Sequence, residues 1–333
     1  MQPAAVLAAA LAVLIAFVEQ ERGLELRRPV DVRVLEDAAF LVALRQDAPT
    51  EPPAYDLGAT YGALGVAEQD FGDEVEQALD ETVVGYYDSV REELVVRARP
   101  VDAYLELVLV HELTHVVQDQ WFETYRPTLF DLTERLLAFD AVVEGDATRV
   151  ERAYYRSLSA EDRALVDEVQ GQEAYAPVLG LGALASELDF AYAAGLRLVD
   201  ALLAGGGQER LDAALRSPPT TTEQVLHPEA LDDGPPLSPP APRRPGKLVD
   251  EGVLGERGLA LVLGRDPLEP DGPQVGCEGD TYATYEQGDE LCTVAAVEMA
   301  TAADRDELVE ALLSVGVRAE ARGGAGLELT SCA

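Results

Sequence analysis

The chain opens on an apolar run at residues 3–18 (PAAVLAAALAVLIAFV). The run is short of the roughly 20 residues that a membrane span needs. No Lys or Arg precedes it, as the leading region of a signal peptide would require. It reads in two ways: as a signal or membrane anchor, or as the first half of a helix continuing through Glu19-Gln20-Glu21-Arg22. Residues 28–35 (RPVDVRVL) then alternate and are rich in valine, which predicts a strand, with a helix over 37–46 behind it. A loop with Pro52, Pro53 and Gly58 leads to a second helical stretch ending near residue 79. Residues 82–87 (TVVGYY) and 93–98 (ELVVRA) predict two strands joined by a turn at 88–91.

From 101 to 121, Leu105, Val108, Leu109, Leu113, Val116 and Val117 recur at helical spacing. Further helix is predicted over 129–157, 162–169 and 181–203, the last broken by Gly205-Gly206-Gly207. Residues 217–246 carry nine prolines and read as an extended arm. Residues 248–264 look helical. From 280 to 331 the order is strand, strand, helix (304–313), strand and a further strand. The predicted class is α+β: a mostly helical core with a small sheet beside the helix at 101–121, and a C-terminal α+β subdomain. The expected division is an N-terminal apolar helix at 1–22, a core at 23–216, a proline-rich arm at 217–250 and a C-terminal segment at 251–333 packed on the core.

Charge changes this picture. Asp and Glu total 62 against 25 Lys and Arg, a formal net charge of −37, and Lys247 is the one lysine. A field of that sign repels nucleic acid, which is set aside as a partner. It also repels itself at low ionic strength, and salt relieves that by screening, so adaptation to a salty medium is the favoured reading. Cys277, Cys292 and Cys332 all lie far from any histidine in sequence, which argues against a cysteine zinc site. A Cys292–Cys332 disulfide is favoured, since both fall on strands of one small sheet.

The chemistry concentrates at His111-Glu112-Leu113-Thr114-His115. Residues four apart share a helical face, so both imidazoles can meet one metal ion. Glu112, beside the first of them, is placed to act as general base on a water that zinc acidifies. The competing reading is a pair of surface histidines on an acidic helix. A third protein ligand is needed, and no histidine lies nearby in sequence, so a carboxylate is expected. Glu144 and Glu134 are the two candidates. Glu144 is favoured because Leu137, Ala141 and Thr148 place it on an inward stripe, and Gly145 would let another backbone approach closely. His227, in TEQVLHP, could donate to an oxyanion or could equally be a histidine at a helix end.

The segment VLVHELTHVVQDQ resembles the active-site helix of the gluzincin metallopeptidases, whose HExxH motif is followed by a glutamate ligand on a second helix. It is more closely similar to secreted or surface metallopeptidases with an HELTHxxQDQ helix and a downstream EGDA segment. The likeness extends from about residue 18 onward and includes GYYD, PTTTEQVLHP and GCEGD. It implies His111, His115 and Glu144 as zinc ligands, Glu112 as base, a peptide or protein substrate, and a place outside the cell or on its surface. Thr148 departs from the aspartate that gluzincins often carry four residues after the ligand. Asp146 or Asp119 would then have to support the histidines. The remaining function classes are a non-proteolytic zincin-fold binding or structural surface protein, and a hydrolase of non-peptide bonds.

Overall fold

The computed structural model describes residues 3–47, 57–66, 83–127, 133–173, 190–232, 236–269 and 271–333. The apolar run folds as helix α1 (Pro3–Arg22). Leu7, Leu11, Leu14 and Val18 recur every three or four residues, and all four are buried in the core shared with the HELTH segment. Arg22, at the end of α1, is itself buried in ion pairs with Asp146 and Asp212. No helix among the described residues is long and apolar enough to cross a membrane. The expected membrane anchoring through this segment is therefore corrected. The stripe of Leu7, Leu11, Leu14 and Val18 faces protein, while Val13 on another side of the helix is 67% exposed.

Strand β1 (Asp31–Leu35), helix α2 (Asp37–Asp47), helix α3 (Leu57–Ala63) and strands β2 (Gly85–Asp88) and β3 (Glu93–Arg97) follow. The three strands form a sheet of order β1-β3-β2, with β1 parallel and β2 antiparallel to β3. Leu94, Val95 and Val96 of the central strand are all buried, as an unbroken apolar run predicts. The helical stretch expected to end near residue 79 lies outside the described residues.

Helix α4 (Ala103–Phe122) carries the HELTH motif. Asp102 caps its start, accepting the Leu105 N–H at 2.9 Å. It ends where Glu123 turns left-handed at φ 55°. Leu105, Leu109, Leu113, Val116 and Val117 are each at most 1% exposed, so α4 is wrapped on several sides. Strand β2 and helix α1 both pack against it. Each such side chain contributes roughly 1.5–3 kcal/mol by its burial.

Helices α5 (Thr133–Ser157) and α6 (Ala160–Glu173) come next, then a π-helical turn (Phe190–Ala194) leading into α7 (Gly195–Arg216). The start of the helix expected from 181 lies outside the described residues. The glycines at 205–207 kink α7 rather than end it: only Gly207 leaves helical backbone (φ 65°, ψ −160°) and the helix resumes. Helices α5 and α7 cross in backbone contact. A Cβ on Gly145 would lie 2.2 Å from the carbonyl carbon of Gly195, and one on Gly195 would lie 2.0 Å from the Ala141 carbonyl oxygen. The close approach expected at Gly145 is thus made by Gly195.

Within the proline-rich arm stand the short helix α8 (Thr222–Leu226) and a 3₁₀ turn (Pro228–Asp232). Residues 248–252, expected to be helical, belong instead to strand β4 (Lys247–Gly252), and the helix α9 is only Gly255–Val262. Pairing with β5 (Cys277–Gln287) and burial of Asp250 against the hydroxyls of Thr60 and Tyr282 outweigh the apparent helical spacing. The boundary expected after residue 250 falls inside β4. Strand β6 (Glu290–Met299), helix α10 (Ala302–Ser314), β7 (Arg318–Ala321) and β8 (Gly326–Cys332) complete an antiparallel sheet of order β4-β5-β6-β8-β7. Cys292 stands directly opposite Cys332 in the β6–β8 register, and the two form a disulfide; Cys277 is free and buried. Tyr61 and Leu64, at the end of α3, join Leu259, Leu308 and Leu329 in the core over this sheet. The C-terminal segment is therefore packed on the rest of the chain. The class is α+β, as expected.

Candidate metal centre

One turn of α4 separates His111 from His115, and their rings lie 4.7 Å apart, edge to face. Helix α5 brings Glu144 to them. One carboxylate oxygen is 3.1 Å from His111 Nε2 and the other 3.6 Å from His115 Nε2. One ligand atom from each of the three residues lies within 4.8 Å of the others, so the group can hold a metal ion. Glu134, the other candidate ligand, is not in this group. It sits about 15 Å earlier along α5 at 1.5 Å per residue. There its Oε1 accepts the backbone N–H of Thr222 at 2.5 Å and the Thr222 hydroxyl at 2.8 Å.

The donor set suits a divalent cation with an open position, and the outer partners orient it. Glu151 Oε2 accepts from His111 Nδ1 at 3.0 Å. Gln118 Nε2 donates to the Val143 carbonyl at 3.0 Å and to Asp146 at 2.9 Å, so its amide oxygen faces His115 Nδ1 at 2.9 Å and must accept from it. Both histidines thereby hold a proton on Nδ1 and turn Nε2 toward Glu144. Behind Gln118, Asp146 meets the buried Arg22 guanidinium at 2.8 Å. A chain of contacts thus runs from the end of α1 to His115, one of the three residues that can hold a metal ion.

Glu112 comes off α4 toward β2, where the Tyr87 N–H donates to its Oε2 at 2.8 Å. Burial raises the Glu112 pKa, and the neighbouring His115 and His111 only partly oppose this. Burial opposes the charged form of His111, yet hydrogen bonds to Glu144 and Glu151 lift its pKa well above the ordinary value. For Glu144 the sign reverses. Burial would raise it, but the two histidines hold it well below the usual carboxylate range. Asp140, one turn before Glu144, is pushed up to about 7 by burial and by the charge of Glu144.

Several expected roles fall elsewhere. Asp119 does not support His115; it accepts the Tyr87 hydroxyl at 2.9 Å and both the N–H and the hydroxyl of Thr124 at 3.0 Å. Gln118, one position earlier, takes the supporting role, and Asp146 acts through it. His227 is not brought to the His111–His115–Glu144 group; its Nε2 is 3.0 Å from Glu256 on α9. The residues that sequence reasoning missed are Gln118, Glu151, Asp140 and Tyr192. Gln118 follows His115 by three, Glu151 follows Glu144 by seven and Asp140 precedes it by four, all same-face spacings that could have exposed them. Tyr192 had no such signal. It arrives on the π-helical turn, lies close enough to Glu144 for that charge to raise its pKa, and sets its ring 6.0 Å from that of His111 while remaining 40% exposed. Such turns recur at functional sites.

No family model and no curated protein matches the chain. Among solved structures, a protein from Chloroflexus aurantiacus, described as a provisionally assigned hydrolase with a novel fold, is similar at 16% identity. The match covers 67% of this chain and 87% of that one with a TM-score of 0.45, too slight a likeness to define a shared fold.

Proposed function

We propose that this protein is a zinc-dependent peptidase of the gluzincin type. The observation that carries the reading is the placement of Glu112: a buried carboxylate held by Tyr87, adjacent to two histidines whose Nε2 atoms converge on Glu144. Binding alone would not need that carboxylate. His111, His115 and Glu144 would hold the ion. When bound, zinc supplies a Lewis acid that polarises a carbonyl and acidifies water toward a pKa of about 7.

The rest is done by the chain itself. The Tyr87 N–H fixes one oxygen of Glu112, leaving the other to take a proton from the attacking water and return it to the leaving amine. Tyr192, with its hydroxyl beside Glu144, is the donor assigned to the oxygen of the carbonyl under attack. Glu151 and Gln118 keep the two imidazoles in the tautomer that presents Nε2. Elemental analysis of the purified protein in concentrated salt, paired with cleavage of a mixed peptide library, tests the reading. The expected result is about one zinc per chain, with Glu112→Gln keeping the metal and losing on the order of 10²–10⁴ in rate. A folded wild type that takes up no zinc, or a Glu112→Gln variant that cleaves at the wild-type rate, overturns it.

A further inference from the structure

The three polar residues that close the HELTHVVQDQ segment divide their work. Gln118 orients His115, and Gln120 accepts the N–H groups of Arg27 and Arg28 at 2.8 and 3.1 Å. Asp119, between them, is buried and serves neither. It stands seven residues after Glu112. That places it on the same face of α4, two turns or about 10.5 Å further along the axis.

Tyr87 of β2 spans those two turns. Its backbone N–H donates to Glu112 Oε2 at 2.8 Å, and its hydroxyl donates to Asp119 Oδ2 at 2.9 Å. Asp119 is held in turn from behind. Its Oδ1 accepts the N–H and the hydroxyl of Thr124, both at 3.0 Å, where the chain leaves α4 through the left-handed Glu123. Burial and the charge of Asp119 push the Tyr87 pKa far up, so the hydroxyl keeps its proton and donates. The second anchor matters because of where β2 lies. It is an edge strand of four residues, paired among the described residues with β3 alone, and the Tyr87 N–H is spent on Glu112. A short strand bonded along one edge can tilt about that edge. A tilt would carry the N–H away from the Glu112 carboxylate.

We infer that Asp119 is a positioning residue for Glu112 and acts through the Tyr87 side chain, a strut that ties β2 to α4 and fixes where the Tyr87 N–H meets the carboxylate. The catalytic half of this inference rests on the peptidase reading; the strut itself rests on the distances. Gln118 and Asp119 then serve the two halves of the site separately, one setting the His115 ring and the other the carboxylate of the base. A bond of the same kind recurs near the start of α4, where the Tyr154 hydroxyl donates to Glu106 Oε2 at 2.8 Å. It ties the same helix but is not joined to Glu112 through a shared residue, and it supplies the control.

The test compares Tyr87→Phe with Tyr154→Phe, each of which removes one phenol–carboxylate bond from α4. The first readout is the side-chain carboxyl ¹³C resonance of Glu112 in the metal-free full chain in concentrated KCl, assigned by its loss in Glu112→Gln. It should shift in Tyr87→Phe and stay in place in Tyr154→Phe. The second is zinc affinity by chelator competition, expected to be unchanged in both. The third is peptide cleavage, where Tyr87→Phe should lower kcat about tenfold or more with KM little changed, and Tyr154→Phe should not. Asp119→Ala releases the same hydroxyl from the other side, should repeat these effects, and serves if Tyr87→Phe does not fold. A Glu112 resonance unmoved by Tyr87→Phe, or moved equally by Tyr154→Phe, overturns the inference. So does wild-type kcat in Tyr87→Phe, or a loss of zinc affinity in step with kcat. A wild type that binds zinc and cleaves nothing overturns the peptidase reading instead, and the resonance then decides the strut by itself.

Discussion

Glu144 and Glu134 are the same residue type on one helix, and their surroundings drive them in opposite directions. Glu144 faces two imidazoles, and its pKa is held well below the usual range despite burial. Glu134 is the more deeply buried of the two; its carboxyl accepts the neutral donors of Thr222, and burial pushes it up to about 8 although the Arg257 guanidinium opposes this. What separates them is the direct hydrogen bonding and charge of two imidazoles, which outweigh desolvation at Glu144, whereas desolvation wins at Glu134. One end of α5 keeps a charge, and the other favours the protonated acid.

The largest expected effect breaks this pair apart. Glu144→Ala should abolish stoichiometric zinc, whereas Glu134→Ala should keep about one zinc per chain, as read by elemental analysis after dialysis against a weak chelator. Loss in both would show that the two ends are not independent. Next, Asp146→Ala strips Arg22 of its 2.8 Å partner and leaves a fully buried guanidinium with Asp212 at 3.2 Å. A loss of about 3–5 kcal/mol in denaturant-derived stability is expected, and a change under about 1 kcal/mol would show that the pair is not a structural anchor. Gln118→Leu removes the acceptor that orients His115 and should weaken zinc about 10–100-fold in chelator competition. Asp119→Asn, one residue on, should leave zinc affinity unchanged, since Asp119 serves Tyr87 and Thr124. Equal effects of the two variants would contradict the assignment.

A further effect concerns pH. Glu134 has a folded pKa of about 8 against an ordinary 4.5, so between those values the folded state binds more protons than the unfolded chain. The stability this contributes is fully present below pH 4.5 and is lost as pH rises through 8. Asp280, raised to about 6, adds a weaker slope of the same sign at lower pH. Glu134→Gln should flatten the fall in unfolding midpoint between pH 5 and pH 9 in concentrated KCl. An unchanged slope would place the titrating group elsewhere.

Much of the architecture was legible because local patterns govern it. Alternating valines announced β1, a short valine-rich apolar run announced β3, helical spacing announced α4, and the order of strands and helix over 280–331 followed from periodicity and turn residues. Strand β4 was misread because 248–264 keeps an apolar rhythm that a short edge strand followed by a helix also satisfies, and only pairing with β5 separates the two. The role of α1 was open because an apolar helix suits lipid or protein equally until its partners are known.

At the metal centre the division is the same. The sequence by itself determined that His111 and His115 share a face with Glu112 beside them, because helical geometry links residues four apart without reference to anything distant. Only the tertiary structure decided that Glu144 rather than Glu134 joins them, that Gln118 and Asp146 tie His115 to Arg22 of α1, and that Tyr192 lies over the site. Those choices depend on how α4, α5 and α7 cross. That crossing is set by the contact of Gly145 with Gly195 and by burial shared among helices far apart in the chain, which no local spacing records.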